Sequence, residues 1–129
     1  MSETHDLEAN RELVLRFYRD LVDGGDLSLR DELMTPDYKQ HSTMAGDGFE
    51  GLKTMVEWVA KEWPDRKPTW HRTICEGDMV VVHTHLERWP GDPGLAAIDI
   101  FRVENGKVAE HWDVIQEIPA TLPHTNGMF

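Results

Sequence analysis

The spacing of apolar residues in the first half of the chain predicts three helices. The first should extend over about residues 7–23, where apolar side chains recur every three or four positions and the Gly24–Gly25 pair follows. We expect a short second helix over about residues 27–34 and a third over about residues 50–63, which Pro64 ends. The apolar stripes of the two longer helices comprise Val14, Phe17, Tyr18, Leu21, Leu52, Met55, Val56 and Val59.

The second half of the chain has the composition and turn signals of β-strands. A brief extended segment at "DYKQHS" precedes the third helix, and four strands follow that helix. They are predicted over about residues 70–75, 79–87, 95–104 and 107–116. Residues 117–129 form a tail without periodicity. Helices followed by an antiparallel meander indicate an α+β fold, with a curved, mainly antiparallel sheet packed over the helices in one domain spanning residues 1–129.

The turn between the last two strands decides which of their residues share a face. A two-residue turn at Asn105–Gly106 would place Asp99 opposite Trp112 and put the two strand aspartates on opposite faces. A three-residue loop closed by a bulge at the glycine would instead place Asp99 opposite His111. We favour the bulged register, because it separates polar from apolar side chains. It collects on one face Asp99, Phe101, His111 and Asp113.

The opposite face of these two strands is predicted to be too apolar to remain in water. It carries Ile98, Ile100, Trp112 and Val114. Since the helices cover the other side of the sheet, we expect a second copy of the chain to cover this face in a homodimer.

Composition and charge narrow the class of protein. Hydrophobic residues make up 40% and charged residues 29% of the 129 positions, as in ordinary globular domains. A net charge of −11 argues against nucleic acid and anionic membranes as partners. The single cysteine, Cys75, cannot form an intramolecular disulfide, and the chain has no apolar run of membrane-spanning length. We therefore expect a cytoplasmic location.

Two aspartates within predicted strands are the strongest candidates for chemistry. Strands disfavour aspartate, so Asp99 and Asp113 need a reason to be there. Burial raises the pKa of a carboxyl group, and a neighbouring carboxylate raises it further, which yields an acid and a base near neutral pH without a cofactor. The alternative is a structural role, such as an ion pair with Arg102.

Histidines and aromatic residues extend the candidate site. His111 could donate to an oxyanion or set the ionisation of Asp113, and otherwise it is a hydrogen-bonded core residue. His83 and His85 share one face of their strand, and at least one of them is expected to line a pocket. Together with His111 and Asp113 they also suggest a zinc or iron site, although we favour no metal. Further ligand contacts are expected from Phe101, Trp63 and Tyr18.

Several segments resemble the SnoaL-like polyketide cyclases of the nuclear transport factor 2-like superfamily. They are "PDYKQHS", "DGFEG", "AAIDIFRVENGKVAEHWDVIQ" and "NGMF". The resemblance implies a cone-shaped, usually dimeric fold with a cofactor-free pocket at its wide end. It also implies that Asp113 is the acid/base and that His41 is a pocket histidine. The family carries a histidine where this chain has Asp99, which leaves the role of Asp99 open.

These observations lead to three functional hypotheses. We favour an enzyme in which Asp113 or Asp99 removes a proton α to the carbonyl of a small apolar or aromatic compound and a histidine stabilises the enolate. Cyclisation, isomerisation or dehydration could follow. The second hypothesis is a binding protein that performs no chemistry. The third is a metal-dependent hydrolase that uses His83, His85 and His111.

Overall fold

The helices of the computed structural model, which describes residues 5–129, follow the apolar pattern closely. Helix α1 (Leu7–Arg16) continues directly into a π-helical segment (Phe17–Asp23), so the first predicted helix is confirmed. A 3₁₀ turn (Leu27–Leu29) leads into the single turn of α2 (Arg30–Leu33). Helix α3 spans Gly48–Glu62. The Asp6 carboxylate caps α1 by accepting from the Ala9 N–H, and Asp47 caps α3 in the same way through Gly48.

Five strands form one mixed sheet. Their bounds are β1 Met34–Gln40, β2 Lys67–Glu76, β3 Met79–Glu87, β4 Leu95–Glu104 and β5 Lys107–Glu117. The spatial order is β1-β5-β4-β3-β2, with β1 parallel to β5 and all other pairs antiparallel. The α+β prediction is confirmed, and the second helix ends one residue before the predicted bound, because β1 begins at Met34. Proline disfavours helical geometry in the residue before it, so Pro36 makes an earlier helix end favourable.

The core lies between α1, α3 and one face of the sheet, which we call the inner face. Alternation places Val80, Val82 and Thr84 of β3 on this face, next to Asp99 and Phe101 of β4. Apolar side chains from the helices complete the core, and they are Val14, Phe17, Leu21, Leu52 and Val56.

The β4–β5 hairpin combines a two-residue turn with a bulge, so the predicted pairing is wrong although the predicted faces are correct. Asn105 and Gly106 both have positive φ, 51° and 73°, and Glu104 pairs with Lys107. The bulge lies further along, where Ala109 is an extra residue in β5. Asp99 therefore lies opposite Asp113 rather than His111. Because the bulge restores the parity, the inner face still carries Asp99, Phe101, His111 and Asp113.

The outer face of the sheet is partly covered by the chain itself. The Phe129 ring at the end of the tail stacks on His71 and His85, with ring centroids 4.6 Å apart in both pairs. Val114 and Ile98 remain 72% and 38% exposed. Among the described residues, no helix combines the length and the apolar character needed to cross a membrane.

Candidate active site

A mostly apolar cavity lies between the inner face of the sheet and the helices. The space open to the centre of a water molecule measures about 120 Å³, well above the roughly 10–15 Å³ that one water needs. Its deep end is lined by the buried side chains of Phe17, Tyr38, Leu52 and Phe101. At the other end the lining residues are partly exposed, and they include Met44, Trp63, Pro68, Leu86, Leu95 and Ile115.

Asp99 is buried in the wall of this cavity, and both of its carboxylate oxygens accept hydrogen bonds. Oδ2 accepts from the hydroxyls of Tyr18 and Thr84, each at 3.0 Å. Oδ1 lies 2.9 Å from Nε2 of His111. Only 3% of the residue is exposed, so these groups replace the water that would otherwise solvate the carboxylate.

Gln40 determines that Nδ1 of His111 carries a proton. The Gln40 side-chain oxygen accepts from the backbone N–H groups of His41 at 3.1 Å and Ser42 at 3.0 Å, which sets the orientation of the amide. The Gln40 amide nitrogen donates to the Tyr38 hydroxyl at 3.0 Å. Nδ1 of His111 lies 2.7 Å from the same Gln40 oxygen and must therefore donate to it.

The proton between His111 and Asp99 follows from these contacts. With Nδ1 protonated, the Nε2–Oδ1 contact requires one more proton on either the imidazole or the carboxyl group. Since two hydroxyls already donate to the other oxygen of Asp99, the contacts favour a carboxylate paired with an imidazolium. Asp99 and His111 thus form a buried ion pair whose polar atoms are all used.

Burial, and next the charge of Asp99, raise the pKa of Tyr18 well above its usual value, which keeps its hydroxyl protonated. Tyr18 therefore acts as a hydrogen-bond donor to Asp99. The Tyr18 ring also packs edge-on against Trp70 and Phe101.

Asp113 is the carboxyl group that remains available to a ligand. It lines the same wall of the cavity as Asp99, its cross-strand neighbour on β4, and it is less buried than Asp99. Burial is the main cause that raises its pKa, and the charge of Asp99 raises it further. The Ser42 hydrogen bond and the His111 charge act in the opposite direction without cancelling the rise. A carboxylate with this environment can take up a proton more readily than an exposed aspartate.

Among the described residues 5–129, the side chains of Asp99, His111 and Asp113 form the group that could together hold a metal ion. One ligand atom from each of Asp99, His111 and Asp113 lies within 4.8 Å of the others. A cation bound there would compete with the His111–Asp99 hydrogen bond, because both would use the same atoms.

The structure brings six of the predicted site residues to the cavity, and they are Tyr18, Trp63, Asp99, Phe101, His111 and Asp113. It places His41, His83 and His85 elsewhere. His41 follows the inward-pointing Gln40, so its ring lies on the outer face. There it stacks on Trp112, with ring centroids 5.0 Å apart, and its Nε2 lies 2.6 Å from Oε2 of Glu110.

His83 and His85 flank the inward-pointing Thr84, so alternation along β3 places them on the outer face. There His83 contacts Arg72, and Nε2 of His85 lies 2.8 Å from the Pro93 carbonyl. Both rings also contact Phe129. The predicted metal set of these two histidines with His111 is therefore wrong, since the sheet separates its members.

Sequence reasoning missed six residues of the cavity wall that carry polar groups: Asp23, Tyr38, Gln40, Ser42, Arg66 and Thr84. Thr84 could have been found, since Val80 and Val82 on the same face of β3 are apolar and core-forming. Gln40 and Ser42 depend on the register of β1 against β5, which no local signal in the sequence sets.

Solved structures with the same architecture define the nuclear transport factor 2-like fold. A candidate polyketide cyclase from Bacillus cereus is 25% identical, with a TM-score of 0.72 over 83% of this chain and 74% of its own. IdmH, a candidate polyketide cyclase from Streptomyces antibioticus, is 23% identical, with a TM-score of 0.67 over 82% and 91% of the two chains. A candidate ketosteroid isomerase from Kribbella flavida is 19% identical, with a TM-score of 0.71 over 96% and 90%.

The sequence itself gives the family. The profile of the SnoaL-like polyketide cyclases matches residues 12–121, so the chain belongs to that family. This match confirms the resemblance inferred from the sequence. No curated protein sequence matches the chain.

Proposed function

We propose that this protein is a cofactor-independent enzyme that acts on a small apolar or aromatic carbonyl compound, with Asp113 as the proton-transferring group. The observation that carries the proposal is the contrast between its two carboxylates. Asp99 has all its oxygens occupied by Tyr18, Thr84 and His111, whereas Asp113 lines the cavity with a pKa raised by burial.

The proposed reaction begins with a proton transfer from carbon to oxygen. Asp113 accepts the proton from the carbon α to a carbonyl. The C–H electron pair forms a C=C bond, and the carbonyl π pair moves onto the oxygen to give an enolate. Both ring nitrogens of His111 are already hydrogen-bonded, so its imidazolium, held close by on the same face, offsets the developing negative charge through space. The apolar wall excludes water, which strengthens this interaction and orients the compound.

Three outcomes are compatible with this first step. The enolate carbon can attack a second carbonyl of the same molecule, and Asp113 then returns its proton to the new alkoxide, which is an aldol cyclisation. Return of the proton to a different carbon gives isomerisation. Loss of a β-hydroxyl group with that proton gives water and an alkene.

The experiment compares Asp113→Asn with the wild-type protein in turnover of a panel of β-keto esters and aromatic ketones. We expect Asp113→Asn to keep the fold, shown by an intact circular dichroism spectrum, and to lose at least about 100-fold in rate, the usual contribution of a general base. Asp37→Asn, which changes an exposed aspartate of β1, serves as the matched control and should keep full activity. Full activity in Asp113→Asn would refute the role, and saturable binding without product in the wild-type protein would indicate a carrier.

We further propose a cytoplasmic homodimer whose subunits meet through Ile98, Ile100, Trp112 and Val114. The exposure of the apolar Val114 and Ile98 supports an interface on this face, and the lone Cys75 supports a reducing compartment.

Because the proposed proton transfer needs no cofactor, purified protein should contain only substoichiometric metal. A stoichiometric amount of metal in elemental analysis would contradict this.

A further inference from the structure

We propose that Arg66 forms an anion-binding subsite in the cavity, so that the ligand is an apolar compound bearing one carboxylate or similar anionic group. The proposal rests on the proposed function in taking this cavity as the ligand site. It adds a substrate class and a residue that determines specificity.

Arg66 lies in the connection between α3 and β2, and its side chain belongs to the cavity wall. Only 14% of that side chain is exposed. Trp63 and Pro68, on either side of it in sequence, line the same cavity, as do Val22 and Asp23 at the end of the π-helical segment. The arginine therefore sits within an apolar part of the wall.

The hydrogen bonds of Arg66 hold its guanidinium in place without using all of it. Nε donates to Oδ1 of Asp23 at 3.0 Å, and Nη2 donates to the Asp23 carbonyl at 2.5 Å. Nη1 donates to the Trp63 carbonyl at 3.2 Å. A guanidinium has five N–H groups, so these bonds leave one N–H on each terminal nitrogen. Each of these free N–H groups can donate a charge-assisted hydrogen bond to a carboxylate oxygen.

The charges around the cavity explain why an anionic ligand would need this residue. Among the described residues that line it, Arg66 is the only lysine or arginine, whereas Asp23, Asp99 and Asp113 are all acidic. The whole chain carries a net charge of −11, which opposes the approach of an anion. A neutral apolar ligand would gain nothing from an arginine in the wall, and an anion would depend on it.

Arg66 and the acid/base site are contacted from different points along the first helical segment. Tyr18 contacts Asp99, and Asp23, which holds Arg66, lies five residues further along the same helical segment. At helix rise this separation is about 6–8 Å. The anion subsite and the acid/base site are therefore separate positions along the cavity wall.

Two fluorescent dyes that differ in one charge test the proposal directly. 8-Anilinonaphthalene-1-sulfonate and N-phenyl-1-naphthylamine share their rings, and only the first carries an anionic group. We expect Arg66→Gln to weaken the Kd of the sulfonate dye by about 10-fold and that of the neutral dye by less than about 2-fold, as the loss of one charge-assisted contact predicts. Arg19→Gln, which removes the same charge from an exposed position, should change neither.

Asp23→Asn should change sulfonate binding in the opposite direction to Arg66→Gln. The variant removes the negative charge beside Arg66 but keeps an oxygen that can accept from its Nε. We expect it to tighten sulfonate binding by about 3-fold or more, with the neutral dye unchanged. Because this variant keeps Arg66, it tests the proposal even where Arg66→Gln does not fold.

Equal losses for both dyes in Arg66→Gln, no loss in either, or weaker sulfonate binding in Asp23→Asn would each overturn the proposal. Dye binding needs no turnover, so these results do not depend on Asp113. An inactive protein that still shows the charge-dependent difference would refute the proposed reaction and leave the anion subsite standing.

Discussion

The hydroxyl of Tyr18 should contribute more to stability than an ordinary buried hydroxyl, because it donates to a buried carboxylate. Tyr18→Phe keeps the ring packed on Trp70 and Phe101 and removes only the 3.0 Å hydrogen bond to Asp99. A hydrogen bond to a charged group contributes about 1.5–3 kcal/mol. For a chain of 129 residues, 1 kcal/mol corresponds to about 4 °C in Tm. The expected loss is therefore about 6–12 °C.

Tyr38→Phe is the matched control for this change. The Tyr38 hydroxyl accepts from the neutral amide of Gln40 at 3.0 Å, so its removal should cost only about 0.5–1.5 kcal/mol. The double variant Tyr18→Phe/Thr84→Val removes both hydroxyl donors to one oxygen of Asp99. Its cost should exceed the sum of the two single costs by about 1 kcal/mol, since the carboxylate oxygen then has no donor.

Urea denaturation at pH 7 measures these free energies of unfolding for the whole set of variants. A cost for Tyr18→Phe no larger than that for Tyr38→Phe would refute the assignment of Asp99 as a buried anion. Strict additivity in the double variant would show that the two hydroxyls do not share one charged acceptor.

Four further predictions concern Asp113, the core and the proposed dimer interface. Asp113→Asn should raise Tm at pH 7. Burial raises the folded-state pKa of this group above its unfolded-state value, so ionisation costs stability as the pH rises from the lower value through the higher one; a lower Tm in thermal denaturation would contradict this. The turnover rate should rise with pH through the raised pKa of Asp113, so the rising limb of the pH–rate profile should lie above about pH 4, and a limb at or below that value would argue against Asp113 as the base. Phe101→Ala should cost about 3–5 kcal/mol in urea denaturation, because the ring is 2% exposed and packs against Phe17, and a cost below about 1 kcal/mol would show that the core differs. Val114→Lys should convert the proposed dimer to a monomer in light scattering while leaving the circular dichroism spectrum unchanged, and an unaffected dimer would place the interface elsewhere.

The sequence was most informative where a single periodicity controls the structure. The bounds of β3 and β4 agree with the predicted ranges, since each strand lies between clear turn signals. Asp99 and Asp113 share a face, as predicted, because alternation along both strands allows few arrangements.

Long-range pairing limited the prediction of the site. "ENGK" has the signature of a two-residue turn, and the structure contains that turn, yet the bulge that restores the shared face occurs at Ala109, where no glycine or proline marks it. Val108 and Ala109 are both buried in succession, which a regular strand does not allow when one face is exposed. Local signals could not locate this extra residue.

The three histidines show how an error of one position changes a site. His41, His83 and His85 each lie next to a residue that does line the cavity, so the segments were identified correctly and the faces were not. For β3, the apolar Val80 and Val82 could have shown which side chains point inward, because core-forming side chains must point toward the helices. For His41, the face depends on the parallel pairing of β1 with β5, which links segments about 70 residues apart.

Hydrogen–deuterium exchange at the carbon α to a carbonyl tests the proposed proton transfer most directly. The protein is incubated in D₂O with aromatic ketones of low spontaneous exchange, and deuterium in the recovered compound is measured by mass spectrometry. The account predicts exchange with the wild-type protein and with Asp37→Asn, and only the spontaneous rate with Asp113→Asn. Exchange that Asp113→Asn catalyses as fast as the wild-type protein would contradict it.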